Sequence, residues 1–315
     1  MQAAVIHTLG TGPVVGEYPD PPADQRVAEV VAAALNPVDV VIAGGKFPFR
    51  QAQSPFVAGY EGVARLGDGS HRYFSDPELP YGSLAELVPL AGADTVAVPA
   101  GLDPATAVAL GGSGIAAWLS LAQTGRLRAG ESVLILGAGG QVGGIAVQAA
   151  RLQGAARVVA VVRDDAGRQR ALDRGADVAV SSAEAGSLVE RLREAAPDGV
   201  DLILDAVWGP VIGPAIEIAR RGARVVQVGN SGGALATLPA PVLRGRMVTF
   251  LPHATPLFTA GERAAAYERL TAHAAAGEVS VNAERVALAD TASAWKRLTA
   301  GGSSRKLVIT PQPAE

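Results

Sequence analysis

The sequence has no cysteine and only four histidines. The lack of cysteine excludes disulfide bonds, thiolate nucleophiles and every zinc site that uses cysteine ligands. The histidines are scattered and lack the H-x-x-x-H spacing of a helical zinc site; they are His7, His71, His253 and His273. We therefore expect neither a structural nor a catalytic zinc.

Strong net charge and long apolar runs are also missing. The formal net charge is −3 and no segment clusters Lys and Arg, so we expect binding to neither nucleic acid nor a membrane surface. No uninterrupted apolar segment reaches about 18 residues, and the first residues, MQAAVIHTLG, have no basic region followed by an apolar core. These absences predict a cytoplasmic protein that acts on a small molecule.

The 315 residues, of which 49% are hydrophobic, predict two domains with cores of their own. Residues 1 to about 110 contain short β-rich runs separated by Gly, Pro and Asp, which is typical of a mostly β domain. From about 131 to 250, helices alternate with continuous apolar strands such as VLILG, RVVAVV and VDLILDAV. This alternation predicts a parallel sheet with helices on both faces, the doubly wound α/β architecture. The pattern leaves open which domain the last segment, about 255–315, joins.

The segment VLILGAGGQVGG, residues 133–144, joins a predicted strand to a predicted amphipathic helix through glycines. A turn of this kind lets backbone N–H groups and a helix N-terminus approach a pyrophosphate. The usual G-x-G-x-x-G reads here as Ala138-x-Gly140-x-x-Gly143, with two additional glycines. The segment therefore predicts a dinucleotide site formed by Gly137, Ala138, Gly139, Gly140, Gln141, Val142 and Gly143.

The next strand ends in Arg163-Asp164-Asp165, at the place that selects the cofactor. An arginine there pairs with the 2′-phosphate of NADPH through charge-assisted hydrogen bonds. Arg168, about one helical turn further on, is positioned to join it. The alternative is that Arg163 is only solvated and Asp164 holds the ribose of NADH. We favour NADPH.

Two Gly- and Pro-rich segments of the first domain carry isolated polar residues. They are ALNPVDVVIAGGKFPF, residues 34–49, with Asn36 and Asp39, and PFVAGYEGVA, residues 55–64, with Tyr60 and Glu61. One interpretation is turn chemistry, in which Asn36 starts a turn and Glu61 is a buried partner for an arginine.

The order of several segments resembles the medium-chain dehydrogenase/reductase superfamily. The segments are NPVD, PFVAGYEGVA, GSLAELVPLAGADTVAVPAGLDPATAVAL, AGESVLILGAGGQVG, GARVVQVG and SSRKLVITP. The Ala138-x-Gly140-x-x-Gly143 form is similar to that of the zinc-independent quinone oxidoreductase and enoyl reductase-like branch. The resemblance, which covers almost the whole chain, implies a GroES-like, mostly β catalytic domain of residues 1–114 completed by 255–315. It also implies a Rossmann dinucleotide-binding domain of residues 115–254 and, as is common in relatives, a homodimer.

The resemblance further implies the site residues. At the nicotinamide end of the cofactor they are Gly229, Asn230 and Ser231 after the fifth strand and Phe250 and Leu251 after the sixth. Lys306, in the closing segment, is a further cofactor candidate. Asn36 and Tyr60 take the places that zinc-dependent relatives give to a cysteine and a histidine, which implies a site without metal and makes these two residues the catalytic candidates.

The resemblance implies NADPH-dependent transfer of hydride to a small-molecule electrophile, either an activated C=C bond or a quinone, with a natural-product intermediate as one candidate substrate. Donors on Tyr60 and Asn36 then stabilise the oxyanion that develops. Alternatives are a non-catalytic NADPH-binding protein, a zinc-free carbonyl reductase, and a Tyr60 that only packs. Two departures from the family pattern are Phe47, where many relatives have a tyrosine, and a shortened segment between residues 64 and 83.

Overall fold

The computed structural model describes residues 1–301 and 305–311. The predicted C-terminal segment 255–315, with Ser303 and Ser304 of the motif SSRKLVITP, lies partly outside the described residues. The chain divides into two compact units: unit 1 comprises Met1–Gly112 and Thr259–Glu315, and unit 2 comprises Ser113–Phe258. The predicted boundaries, 1–114, 115–254 and 255–315, differ from these by a few residues.

The two units use different mixtures of strand and helix. The strands are β1 (Gln2–Ile6), β2 (Val14–Glu17), β3 (Val27–Ala34), β4 (Phe56–Val57), β5 (Glu61–Arg65), β6 (His71–Ser75), β7 (Leu87–Pro89), β8 (Asp94–Ala97), β9 (Ser132–Leu136), β10 (Arg157–Val162), β11 (Val178–Ser181), β12 (Val200–Asp205), β13 (Ala219–Gln227), β14 (Thr249–Pro252), β15 (Ala283–Ala287) and β16 (Lys306–Thr310). The helices are α1 (Pro37–Ala43), α2 (Pro104–Ala109), α3 (Gly112–Leu119), α4 (Gln141–Leu152), α5 (Asp165–Asp173), α6 (Leu188–Ala195), α7 (Ile212–Ile216), α8 (Ala240–Arg246), α9 (Ala260–Ala275) and α10 (Thr291–Thr299).

Unit 2 contains a parallel six-stranded sheet in the order β11-β10-β9-β12-β13-β14. Its central strand, β9, is buried at every position, because helices cover both faces of a parallel sheet. The apolar runs that predicted these strands therefore supply the core. The predicted doubly wound α/β domain is confirmed.

The strand order creates a topological switch point in unit 2. From β9 the chain proceeds outward to β10 and β11, and then returns to build β12, β13 and β14 on the other side of β9. Ligands of open α/β sheets bind outside the carboxyl ends of the strands at such a point. The segments after β9, β10, β12, β13 and β14 all belong to this edge.

Unit 1 contains a mostly antiparallel sheet in the order β15-β16-β3-β5-β6-β8, with β7 also paired to β3, and a small sheet in the order β2-β1-β4. Along β3 buried and half-buried positions alternate at first, as expected when one face of a strand covers a core. The C-terminal strand β16 pairs with β3. The last segment therefore contributes a strand to the main sheet of unit 1.

One element differs from its prediction. The segment GPAIEIARRG predicts a single helix, whereas α7 ends at Ile216 and β13 begins at Ala219. The cause is pairing: Ala219 lies opposite Val200 of β12, and a register shift follows before Arg224 pairs with Leu202. Tertiary pairing thus overrides the helical pattern of this segment.

The edges of the unit 2 sheet are formed by β11 and β14. An edge strand presents unpaired backbone groups that can pair with another strand, but the predicted homodimer stays a prediction. In the described part of the chain, no helix combines the length and the apolar character needed to cross a membrane. The predicted cytoplasmic location also stays a prediction.

Candidate functional site

The glycine-rich loop between β9 and α4 forms a tight turn. Gly137 has φ +83°, a conformation that a side chain rarely permits. The carbonyl of Gly137 accepts the N–H of Gly140 at 2.9 Å, and Gly140 then precedes α4 as an N-cap residue without a side chain. The first-turn N–H groups of a helix have no partner within the helix, so this end of α4 suits a phosphate group.

The loop also has the shape of a cradle. A Cβ atom on Gly143 would collide with the carbonyl oxygen of Gly137, whereas a Cβ atom on Gly139 would have no neighbour closer than 3.8 Å. Gly143 thus lets the helix pack on the turn, and Gly139 leaves space above it. These residues fit the pyrophosphate of a dinucleotide.

Near the start of α5 lie the residues predicted to distinguish NADPH from NADH, and they differ in whether their charges already have partners. The side chain of Arg163 is 79% exposed, and its Nε lies 3.7 Å from Asp164 Oδ2. Arg168 instead donates to Glu184 Oε2 at 2.6 Å, so its charge already has a partner. Asp164 caps α5 by accepting the N–H of Gly167 at 2.8 Å, which gives this carboxylate a structural role. Arg163 is the freer of the two predicted arginines.

Two further arginines, Arg170 on α5 and Arg174 just after it, carry no sequence signal beyond their spacing. A Cβ atom on Gly144 would collide with Nη1 of Arg174, and one on Gly167 would lie 3.7 Å from Nη2 of Arg170. Burial, and then the charge of Arg170, lower the pKa of the Arg174 guanidinium.

The residues predicted for the nicotinamide end either follow the carboxyl end of β13 or lie within β14. The N–H of Gly229 donates to the carbonyl of Asp205 at 3.2 Å, and Ser231 Oγ donates to the carbonyl of Ala206 at 3.4 Å. The structure thus brings the segment after β13 against the segment after β12. Phe250 and Leu251 are half-buried in the neighbouring strand β14, and Asn230 follows Gly229 in the same loop.

In unit 1 the carboxylate of Glu61 is the centre of a buried polar network. It accepts hydrogen bonds from Asn36 Nδ2 at 2.8 Å, from the Tyr73 hydroxyl at 2.7 Å and from the N–H of Gly112 at 2.5 Å. The ammonium of Lys306 lies 3.9 Å from Glu61 Oε1. Since the Glu61 side chain is 1% exposed, these partners replace the water that a carboxylate otherwise requires.

The network changes the roles predicted for Lys306 and Asn36. The Lys306 side chain is only 3% exposed and its ammonium donates to Asn36 Oδ1, so it is a structural cation of unit 1 and is not open to a cofactor. The amide of Asn36 donates to Glu61 and, at 3.3 Å, to the carbonyl of Ala34. Both N–H bonds are therefore engaged, which leaves no donor for a substrate in this arrangement.

These side chains do not fit a zinc ion. Zinc in proteins is bound by thiolate, imidazole and carboxylate groups. Here the amide oxygen of Asn36 accepts from an ammonium group, and Tyr60 contributes a protonated phenol. Within residues 1–301 and 305–311, no group of three or more His, Asp or Glu side chains is arranged to hold a metal.

Tyr60 differs from the network in having a hydroxyl without a described partner. Its ring packs edge to face against Phe47 at 6.1 Å, and its side chain is partly buried. None of the residues described forms a hydrogen bond with the Tyr60 hydroxyl. Burial, reinforced by the charge of Asp76, raises the pKa of this hydroxyl, so the phenol stays protonated and can donate a hydrogen bond.

Asp39 is a buried acid next to the network. Its Oδ2 accepts the N–H of Asn36 at 2.7 Å, and its Oδ1 has no partner among the described residues. Burial raises the pKa of the Asp39 carboxyl to about 7, opposed by the Asn36 N–H and reinforced by Glu61. Its protonated form therefore predominates below neutral pH.

Known proteins resemble the chain in sequence. The protein family described as zinc-binding dehydrogenase matches residues 142–255. A subunit of the phenolphthiocerol/phthiocerol polyketide synthase of Mycobacterium tuberculosis is 31% identical over 222 residues, which are 67% of this chain and 10% of that protein. The quinone oxidoreductase of Rattus norvegicus is 29% identical over 223 residues, which are 68% of this chain and 67% of that protein.

Known structures resemble the whole fold. The quinone oxidoreductase of Thermus thermophilus, solved also in complex with NADPH, superposes with a TM-score of 0.82 and 29% identity. The superposition covers 98% of this chain and 100% of that protein. The chain thus matches that structure in full, whereas it spans about a tenth of the polyketide synthase polypeptide.

We predict that Gly143→Ala destabilises unit 2 and that Gly139→Ala does not. The added methyl group at 143 meets a backbone oxygen, so the helix or the turn must move, and overpacking of this kind costs about 1–3 kcal/mol. Chemical denaturation of both variants measures the difference. Equal free energies of unfolding for the two variants would show that the close packing of α4 on the turn is not required.

We predict that Asp39 makes the protein less stable as the pH rises. Its folded pKa of about 7 lies above the unfolded value of about 3.9, so the folded state binds the extra proton between these values. The contribution of Asp39 to the free energy of unfolding should fall by about 1 kcal/mol per pH unit across that window. Urea denaturation of wild type and Asp39→Asn at several pH values measures this slope.

The control for this prediction is Asp165→Asn, because the side chain of Asp165 is 92% exposed. This variant removes an exposed carboxyl in place of a buried one, so it shows how much pH dependence an Asp→Asn change produces by itself. A stability difference between wild type and Asp39→Asn that stays constant from pH 4 to 7 would contradict the prediction.

Proposed function

Because the chain belongs to the medium-chain dehydrogenase/reductase superfamily, in its quinone oxidoreductase-like branch, we propose that it is an NADPH-dependent oxidoreductase. The proposed reaction is hydride transfer to an activated C=C bond or to a quinone. The observation that carries the proposal is the glycine cradle at the switch point of unit 2, which fits a dinucleotide pyrophosphate. The NADPH complex of the Thermus protein supports the choice of cofactor by analogy.

The protein's own part in this reaction is to bind, orient and polarise. Reduced nicotinamide, when bound, supplies the hydride. Hydride addition to the electrophilic carbon of an enone or quinone leaves negative charge on the carbonyl oxygen. A hydrogen-bond donor in a site with little water stabilises that oxyanion.

Tyr60 is the residue we propose as this donor. Its phenol has no hydrogen-bond partner among the described residues and is kept protonated by burial. Asn36, the other sequence-based candidate, has its amide hydrogens committed to Glu61 and Ala34, so the proposal keeps it as a support for Glu61. The proton that completes the product comes from Tyr60 or from water.

We predict that Tyr60→Phe lowers kcat/KM with enones and quinones by roughly 10²-fold, the effect of removing one oxyanion donor. The measurement is NADPH oxidation with a panel of quinones and enones, alongside the dissociation constant of NADPH. The loss should fall on kcat, because the ring and its packing on Phe47 are kept. NADPH affinity and thermal stability should stay at wild-type values.

A matched control is Tyr81→Phe, because the Tyr81 hydroxyl donates to the backbone carbonyl of Asp20 and has no proposed role in the reaction. Wild-type kcat/KM in Tyr60→Phe would remove Tyr60 from the mechanism. NADPH binding by the wild-type protein without any oxidation would instead support a non-catalytic NADPH-binding role.

We predict that Arg163→Ala weakens NADPH binding about tenfold, the lower end of the value of a charge-assisted hydrogen bond. Affinity for NADH should be unchanged, since NADH lacks the 2′-phosphate. Titration of both cofactors by fluorescence measures the two dissociation constants. Arg193→Ala is the control, because Arg193 lies on α6 and pairs with Glu217 at 3.5 Å. An unchanged preference between the cofactors in Arg163→Ala would favour the alternative in which Asp164 holds the ribose.

A further inference from the structure

Trp208, which follows β12, has an unusual backbone conformation. Its φ is 59° and its ψ is −156°, a region that is essentially reserved for glycine. Tryptophan has no intrinsic preference for this conformation, so the surrounding structure must impose it. Residues held in this way concentrate at functional sites.

The turn around Trp208 is held by Asp205 at the end of β12. Asp205 Oδ1 accepts the N–H of Val207 at 2.8 Å and the N–H of Trp208 at 2.7 Å. Asp205 Oδ2 is buried without a hydrogen-bond partner among residues 1–301 and 305–311. A buried acceptor left in this state costs free energy unless a ligand or water donates to it.

The segment after β13 locks the same turn from the other side. The N–H of Gly232 donates to the carbonyl of Val207 at 2.7 Å. A Cβ atom on Gly232 would lie 2.7 Å from Val207 Cγ1, and one on Gly209 would collide with the Gly232 carbonyl. The two segments are therefore closely packed on either side of Trp208, and this packing restrains its backbone.

The indole ring contacts a residue that the sequence predicts for the nicotinamide end of the cofactor site. It packs edge to face against Phe250 of β14, with ring centroids 6.1 Å apart and an interplanar angle of 85°. The preceding residue, Val207, packs against the glycine-rich loop, since a Cβ atom on Gly137 would lie 2.5 Å from Val207 Cγ2. One turn thus joins the pyrophosphate cradle to a partly buried aromatic pair.

We infer that Trp208 binds the nicotinamide-bearing half of the dinucleotide and fixes its orientation. The inference rests on the proposed function and adds a residue that the sequence motifs do not indicate. A dinucleotide that starts at Gly137–Gly143 extends along the carboxyl ends of the strands toward β12 and β13. A planar ring there gains contact with indole, the largest aromatic side chain. This contact explains why a strained tryptophan occupies a position that suits glycine.

The first test compares two ligands. Trp208→Ala should weaken NADPH binding by about threefold to tenfold, the worth of one aromatic contact, while binding of 2′,5′-ADP, which lacks nicotinamide, should stay within about twofold of wild type. The NADPH affinity of Trp208→Phe should lie between those of wild type and Trp208→Ala. Isothermal titration measures all of these constants without turnover. The control is Trp295→Phe, whose site is a core position of unit 1; it should leave both ligands unaffected.

The second test measures the strain itself. Trp208→Gly should unfold at a higher temperature than Trp208→Ala, because glycine adopts a positive φ without steric cost. In a helix interior, by contrast, a protein with glycine is less stable than one with alanine. A lower unfolding temperature for Trp208→Gly would overturn the argument from strain.

Three binding outcomes overturn the inference. The first is unchanged NADPH affinity in both Trp208→Ala and Trp208→Gly with turnover intact, which leaves the proposed function standing. The second is an equal loss for NADPH and 2′,5′-ADP, which would assign Trp208 to general support of the loops. The third is a wild-type protein that binds neither ligand, which overturns the proposed function as well.

Discussion

The buried carboxylate of Glu61 is the constraint on which unit 1 depends. It draws together donors from α1's N-terminal flank, from β6, from the start of α3 and, through Lys306, from β16. Loss of one partner from a buried charged group leaves an uncompensated charge, which costs about 3–5 kcal/mol. The positions of these elements are therefore coupled through one side chain.

This constraint also decides which polar groups remain for chemistry. Asn36 and Lys306 already interact with Glu61 or with each other. Tyr60, the residue next to Glu61, does not take part in these interactions. Tyr60 lies in the bend just before β5. The carboxylate of Glu61 is buried in the network, while the phenol of Tyr60 lies against Phe47. Of these two neighbouring polar residues, Glu61 stabilises the fold of unit 1, and Tyr60 is the proposed catalytic residue.

The sequence predicts much of the fold because the relevant signals are local. Continuous apolar runs predict the strands of the parallel sheet, and the glycines at 137–143 predict the cradle. Each of these signals lies within one short segment. The partners in the Glu61 network are not local: Lys306 and Asn36 are 270 residues apart, and a lysine in a strand carries no mark of burial. The backbone conformation of Trp208 also has no local sequence signal, because neighbouring segments impose it. The pairing of Arg168 with Glu184 likewise depends on how α5 packs beside β11.

The position of Lys306 in the chain has a consequence for the order of folding during synthesis. Unit 2 is continuous, so its whole sheet is available once Phe258 has been made. Unit 1 is interrupted by it and lacks the cation for Glu61 until β16 has emerged. Domains fold in the order in which their segments become complete. The domain that begins the chain is thus the last to finish, and a ribosome that stalls after residue 258 leaves its carboxylate network without a counter-charge.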